Sequence, residues 1–163
     1  MSVRGDKAYE LFLSGYNCTQ AVIGAFADVI GMDFDTAVRF ASGFGGGMGR
    51  LREVCGTFSG AVIVVNALYG YSDPKNVQAK TELYSRIQEL AAQFRRDNGS
   101  IICKELLGLS RPEGSPIPEA RTDEYYKKRP CPELCRYSAN MLEEYIREHP
   151  PVKSRRTPQG IPP

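Results

Sequence analysis

Histidine is almost absent from this chain. His149 is the only one in 163 residues, and it stands beside a Pro-Pro pair. All-thiolate metal ligation is therefore favoured over sites that mix imidazole with thiolate. A Ser-His or Cys-His nucleophile pair would depend on that one residue. Metal chemistry here has to rest on thiolates and carboxylates. No Cys-x-x-Cys occurs, so neither a zinc-finger spacing nor a thioredoxin-like redox motif is present. No apolar stretch reaches the roughly 20 residues that cross a bilayer. The N-terminal residues 1–7 lead straight into an amphipathic segment, without the apolar region of a signal peptide. The expectation is a cytoplasmic protein with no membrane span, in a compartment that keeps thiols reduced. Charge of one sign is lacking too: the net charge is +2, which leaves no footprint for nucleic acid.

What is present fits one domain. An apolar fraction of 42% and a charged fraction of 25% are ordinary for a globular protein. The length allows a real core without disulfide staples. The periodicity is helical almost throughout. Ala8, Leu11 and Phe12 form a first stripe. Asn17 and Gln20 read as a capping box opening a second helix that stops at Gly31. Asp33 or Asp35 caps a third, which carries Ala37, Val38, Phe40 and Ala41. A fourth begins near Arg50, ends by Gly70 and is apolar on most sides, hence the expected central helix. Asp73-Pro74 opens a fifth that closes at Asn98-Gly99. Ser100 caps a short one, and Pro132 starts the last. Residues 109–130 hold prolines at 112, 116, 118 and 130 and show no periodicity. They form a loop longer than a compact domain usually carries, with an aromatic and basic end. The fold class is all-α: a single-domain bundle of five to six helices with a long Pro-rich loop. Residues 1–149 form the domain, and 150–163 a basic, Pro-rich tail expected to be disordered.

Five cysteines, an odd number, make no obvious disulfide framework. Four of them, Cys18, Cys55, Cys103 and Cys131, fall near expected helix N-termini. There the unsatisfied N–H groups and the helix dipole favour an anion, so a thiol can ionise more readily and act as nucleophile or ligand. Arg50 and Arg52 add positive charge near Cys55. Cys135 follows Cys131 by one turn, at a core-facing spacing. Before Arg50, five glycines stand in seven residues, a density that calls for unusual backbone angles or close approach of the backbone to something. No Gly-Lys-Ser/Thr follows and no strand precedes, so the cluster is neither a P-loop nor a dinucleotide fingerprint. Tyr69 and Tyr71 read as core rim, and Lys127-Lys128-Arg129 as a solvated run.

Four segments taken together resemble the C_GCAxxG_C_C family: Gly15-Tyr16-Asn17-Cys18-Thr19-Gln20, the glycine cluster leading into Glu53-Val54-Cys55-Gly56-Thr57-Phe58-Ser59-Gly60, Cys103-Lys104-Glu105-Leu106-Leu107-Gly108, and Cys131-Pro132-Glu133-Leu134. The family consists of small helical redox-active proteins named for four cysteines and a Cys-Gly-Ala-x-x-Gly motif. Carried over by motif, the family cysteines fall on Cys18, Cys55, Cys103 and Cys131. Thr57 stands where the motif has alanine, and Cys135 is additional. The resemblance implies redox or metal function without naming a substrate. A related domain in split-Soret-type cytochromes is associated with an iron–sulfur cluster. The absence of Cys-x-x-Cys-His excludes a covalent c-type haem on this chain.

Three readings compete. In the first, Cys18, Cys55, Cys103 and Cys131 are metal ligands. They would hold an iron–sulfur cluster or another thiolate-bound metal for electron transfer or redox sensing. Gly45, Gly46, Gly47 and Arg50 would contact the cofactor, with backbone N–H groups reaching the sulfurs. In the second, the protein is a thiol–disulfide oxidoreductase. Cys55 attacks, another cysteine resolves, and the catalytic candidates are Cys55 and Cys131, the latter one turn from Cys135. In the third, the chain is a helical interaction module whose cysteines only pack and whose Tyr-rich loop and tail meet a partner. Gly56 and Gly60, four residues apart, offer a face for close helix approach, and a homodimer is expected through that face or through the long loop. The electron partner is unknown.

Overall fold

The computed structural model describes residues 2–111 and 114–152. Residues 153–163, most of the expected tail, and Pro112 lie outside them. Among the described residues there are eight α-helices and one 3-10 turn: α1 (Val3–Leu13), α2 (Cys18–Ala25), α3 (Phe34–Ala41), α4 (Gly56–Tyr69), α5 (Val77–Asn98), α6 (Cys103–Leu106), α7 (Asp123–Lys128) and α8 (Cys131–Glu148). The extra members over the expected bundle are single-turn or near-single-turn pieces. One of them, α7, lies inside the stretch read as aperiodic, where six residues are too few to show a period. No helix among the described residues is long and apolar enough to cross a membrane.

Local chemistry explains most of the boundaries. Asn17 caps α2 through the reciprocal capping box with Gln20, as expected. Gly99, at φ +88°, ends α5 in the left-handed conformation that glycine adopts without penalty. Two expected starts move. Asp73 accepts the Lys75 amide in a turn of its own, and Asn76 caps α5 instead. The fourth helix starts at Gly56 rather than near Arg50, because residues 46–52 do not run right-handed. Gly46, Gly47, Met48, Gly49 and Arg50 all have φ between +56° and +70°, and Arg52 is at +63°. This left-handed stretch accounts for Gly46, Gly47 and Gly49, where an alanine would be strained, while Gly45 makes room for the Asn17 side chain. The second helix also ends early: past Ala25 the chain continues in turns to Gly31.

α2 occupies the centre and packs on α1, α3, α4 and α8. Seven of its eight residues are buried, against half of the fourteen in α4. The expected central position of α4 is therefore corrected. Its apolar surface meets α2, α5 and α8, but its last turn runs out to solvent at Asn66 and Ala67. α1 lies along α8, joined by the Ser2–Asn140 hydrogen bond (2.6 Å) and the Arg136–Asp6 ion pair. α5 lays Leu83, Leu90, Ala91 and Phe94 on the core, Phe94 meeting Phe58 and Tyr137 edge to face. Tyr69 and Tyr71 form part of the core rim.

Gly56 and Gly60 are not an exposed face. Both are buried against α2, where an added Cβ on Gly56 would collide with the Cys18 sulfur. A Cβ on Gly60 would come within 2.9 Å of the Val22 Cβ and 3.2 Å of the Thr19 carbonyl. Close helix approach through this pair is real, but it joins two helices of the same chain, so a dimer through that face is excluded. In an exposed helix, Gly→Ala gains about 1 kcal/mol. Gly60→Ala is instead expected to destabilise by about 1–3 kcal/mol, because Val22 and the α2 backbone cannot yield. Urea denaturation of the two proteins measures the sign.

Candidate thiol centre

The four cysteines singled out by motif line one small cavity of about 60 Å³, with Phe12, Thr57, Leu106 and Leu134 among its walls. Each arrives on a different helix start. Cys18 is the first residue of α2, Cys103 of α6 and Cys131 of α8, while Cys55 is the N-cap of α4. Cys131 was expected as a cap with Pro132 first in the helix; the cap is Pro130, one residue earlier.

Two devices bring them together. Residues 52–55 pair with residues 101–104. The Cys55 amide donates to the Ile101 carbonyl (2.7 Å), the Cys103 amide to Glu53 (2.6 Å) and the Lys104 amide to Arg52 (3.1 Å), around an antiparallel Val54–Ile102 bridge. This seats Cys55 and Cys103 side by side. The second device is the absence of a side chain on Gly56, which lets the Cys18 sulfur sit on the start of α4. Gly47 serves Cys103 in the same way: a Cβ there would lie 2.7 Å from the Cys103 Cβ.

The electrostatics differ from the expectation of a readily ionised Cys55. Burial pushes its thiol up to about 12, and the neighbouring Cys18 adds to the rise. Burial, then Cys18, takes Cys131 up to about 12 as well. Cys103 is also raised by burial, against the pull of Arg52. Desolvation of a charge outweighs a helix dipole when water is excluded. Arg52 faces Cys103. Only 3% exposed, it aims a guanidinium nitrogen at the Cys103 sulfur at 3.9 Å. Arg50 does not line this cavity: its Nε donates to the Ser115 carbonyl and its guanidinium faces Glu119, in a neighbouring cleft. Of the glycines expected to contact a cofactor, Gly46 lines the cavity, Gly47 backs Cys103 and Gly45 packs on Asn17. Cys55 is instead approached by the Thr57 hydroxyl at 3.2 Å. Thr57 is the residue that departs from the motif's alanine.

Cys135 is fully buried and does not line the cavity. Burial holds its thiol well above the ordinary value. All five cysteines are free thiols. Among the described residues, no group of three or more His, Cys, Asp or Glu side chains is arranged to hold a metal ion.

Sequence reasoning missed three residues of the site, all from the long loop and its end. Arg121, Tyr125 and Arg129 line the cavity. The Tyr125 ring lies between the two guanidiniums, 4.9 Å from Arg121 and 4.7 Å from Arg129. Arg121 is further held by the carbonyls of Phe12 and Tyr16, and Tyr126 donates to the Leu13 carbonyl. The aromatic end of the loop therefore turns inward over the cysteines. Only Lys127 and Lys128 form the solvated run; Arg129 does not. The loop's unusual length was the one signal available.

A thiol that keeps its proton to about 12 in the folded chain, and loses it near 9 when unfolded, stabilises the fold below pH 9. The unfolded chain gains by ionising between pH 9 and 12, so stability falls as pH rises through that window. At pH 10 the loss is expected to be about 1 kcal/mol for each of Cys55 and Cys131 in the metal-free protein. Urea midpoints at pH 8 and pH 10 should reveal it, and Cys55→Ala should reduce the difference.

No curated protein and no solved structure matches this chain. A family model described as "Putative redox-active protein (C_GCAxxG_C_C)" matches residues 16–145.

Proposed function

Because the chain belongs to the C_GCAxxG_C_C family, we propose that its thiol cavity holds an iron–sulfur cluster on Cys18, Cys55, Cys103 and Cys131 and serves electron transfer or redox sensing. The observation that carries this reading is the convergence of four thiols, from four helix starts, on one cavity.

The donor set supports it. Four soft sulfurs without imidazole suit iron–sulfur ligation. When bound, such a cluster accepts and gives one electron at a time.

The chain's own residues have separate tasks. Phe12, Leu106 and Leu134 keep water from the sulfurs. Arg52, Arg121 and Arg129 offset the negative charge that four thiolates bring into a buried space. The Arg52 guanidinium facing Cys103 and the Thr57 hydroxyl facing Cys55 are placed to set the reduction potential, which depends on hydrogen bonds to ligand sulfur. Cys135, outside the cavity, is a packing residue.

Dithiol exchange is the weaker reading, since a thiol raised to about 12 is a poor nucleophile at neutral pH. Anaerobic protein given ferrous iron and sulfide should take up both at fixed stoichiometry and develop visible charge-transfer absorption. Serine at any of the four cavity cysteines should lower iron content severalfold, and Cys135→Ser should not. Iron-free protein, with all five thiols titrating after the attempt, would overturn the proposal and leave thiol exchange. Thr57→Ala, the motif's own residue, is expected to retain the iron while shifting the reduction potential downward, read by anaerobic redox titration.

A further inference from the structure

Outside the thiol cavity, and sharing Gly46, Arg52, Arg121 and Tyr125 with it, lies an open cleft of about 400 Å³. That volume is in the range of small-molecule sites. Glu119, on the loop, directs a single oxygen at three guanidiniums from three parts of the chain. Arg50 and Arg52, on the cleft wall, each stand 3.9 Å away, and Arg129, which lines the thiol cavity rather than the cleft, bonds it directly.

These arginines are not ordinary surface cations. The side chains of Arg129, Arg50 and Arg52 are 12%, 17% and 4% exposed, whereas Glu119 is 43% exposed. Arg50 and Arg52 adopt positive φ without being glycine, a strain that persists where surroundings or function hold it. Buried, forked donors meeting a more exposed carboxylate match the geometry by which arginine recognises a carboxylate ligand.

We infer that this cleft is a binding site for a small carboxylate-bearing molecule, whose carboxylate takes the place that Glu119 holds here. At about 400 Å³ the cleft suits a small molecule rather than the acidic face of a protein. Arg52 ties the two sites together. One of its terminal nitrogens faces Glu119 and the other faces the Cys103 sulfur. A carboxylate bound there would lie directly beside the thiol centre. Identifying that molecule as the redox substrate rests on the proposed function above; the affinity for carboxylate does not.

The test uses succinate as the probe on the full chain, at constant ionic strength, by calorimetric or NMR titration. Glu119→Gln removes the resident competitor and is expected to bind succinate at least tenfold more tightly than the unsubstituted chain. Adding Arg50→Gln to that variant should erase the gain. In the unsubstituted chain, succinate should slow modification of Arg50 by phenylglyoxal, a readout that does not depend on how either variant folds. Equal affinity with and without Glu119, together with unchanged phenylglyoxal rates, would overturn the inference. Running the titration on both iron-free and iron-loaded protein keeps the two ideas apart. Succinate binding to protein that takes up no iron supports this inference while sinking the cluster. Iron uptake without succinate binding does the reverse.

Discussion

The pairing of residues 52–55 with residues 101–104 is the constraint on which the rest of the site depends. Three backbone hydrogen bonds and one bridge place Cys55 and Cys103 next to each other, although 48 positions separate them in the chain. The same pairing positions Arg52, whose carbonyl accepts the Lys104 amide while its side chain reaches Cys103. The left-handed turn over residues 46–50 exists to deliver the chain to this pairing. From Met48 to Glu53 the amides bond back to carbonyls three to six residues earlier, for example Gly49 to Gly43 and Glu53 to Gly47. A right-handed helix continued from α3 would carry Cys55 elsewhere.

A second balance governs the chemistry. Bringing several thiols into a space without water favours their neutral form, and each thiol raises the next. The arginines on the cavity wall pull the other way. In the metal-free chain desolvation prevails. A cationic centre among the sulfurs would reverse that balance, because thiolates are stable beside a metal where they are not stable alone. The cavity thus combines poor nucleophiles with a good ligand set, the physical reason for preferring ligation to exchange.

Much of the architecture was legible locally. The capping box at Asn17 and Gln20, the stop at Gly99 and the stripe on α5 all follow from short-range chemistry and stand in the structure, and the last helix starts within one residue of its expected place. Where the reading moved, a nonlocal or conformational cause was at work. α4 starts at Gly56 because the glycine cluster runs left-handed, which composition alone announces only as unusual. α2 rather than α4 fills the centre because burial depends on how many neighbours an element has, and apolar composition measures only its own surface. Gly56 and Gly60 do permit close approach, but the helix that approaches belongs to the same chain.

By itself the sequence determined the fold class, the family, the near-absence of histidine and the four cysteines at helix starts. All of these reside in residue type and spacing within a turn or two. Tertiary structure decided that the four thiols meet, that Arg52 serves Cys103 while Arg50 turns to Glu119, and that Arg121, Tyr125 and Arg129 fold inward to complete the wall. It also decided the sign of the thiol shifts. A helix start favours a thiolate through local dipoles, whereas desolvation depends on every element packed around the sulfur, and only the assembled chain sets it.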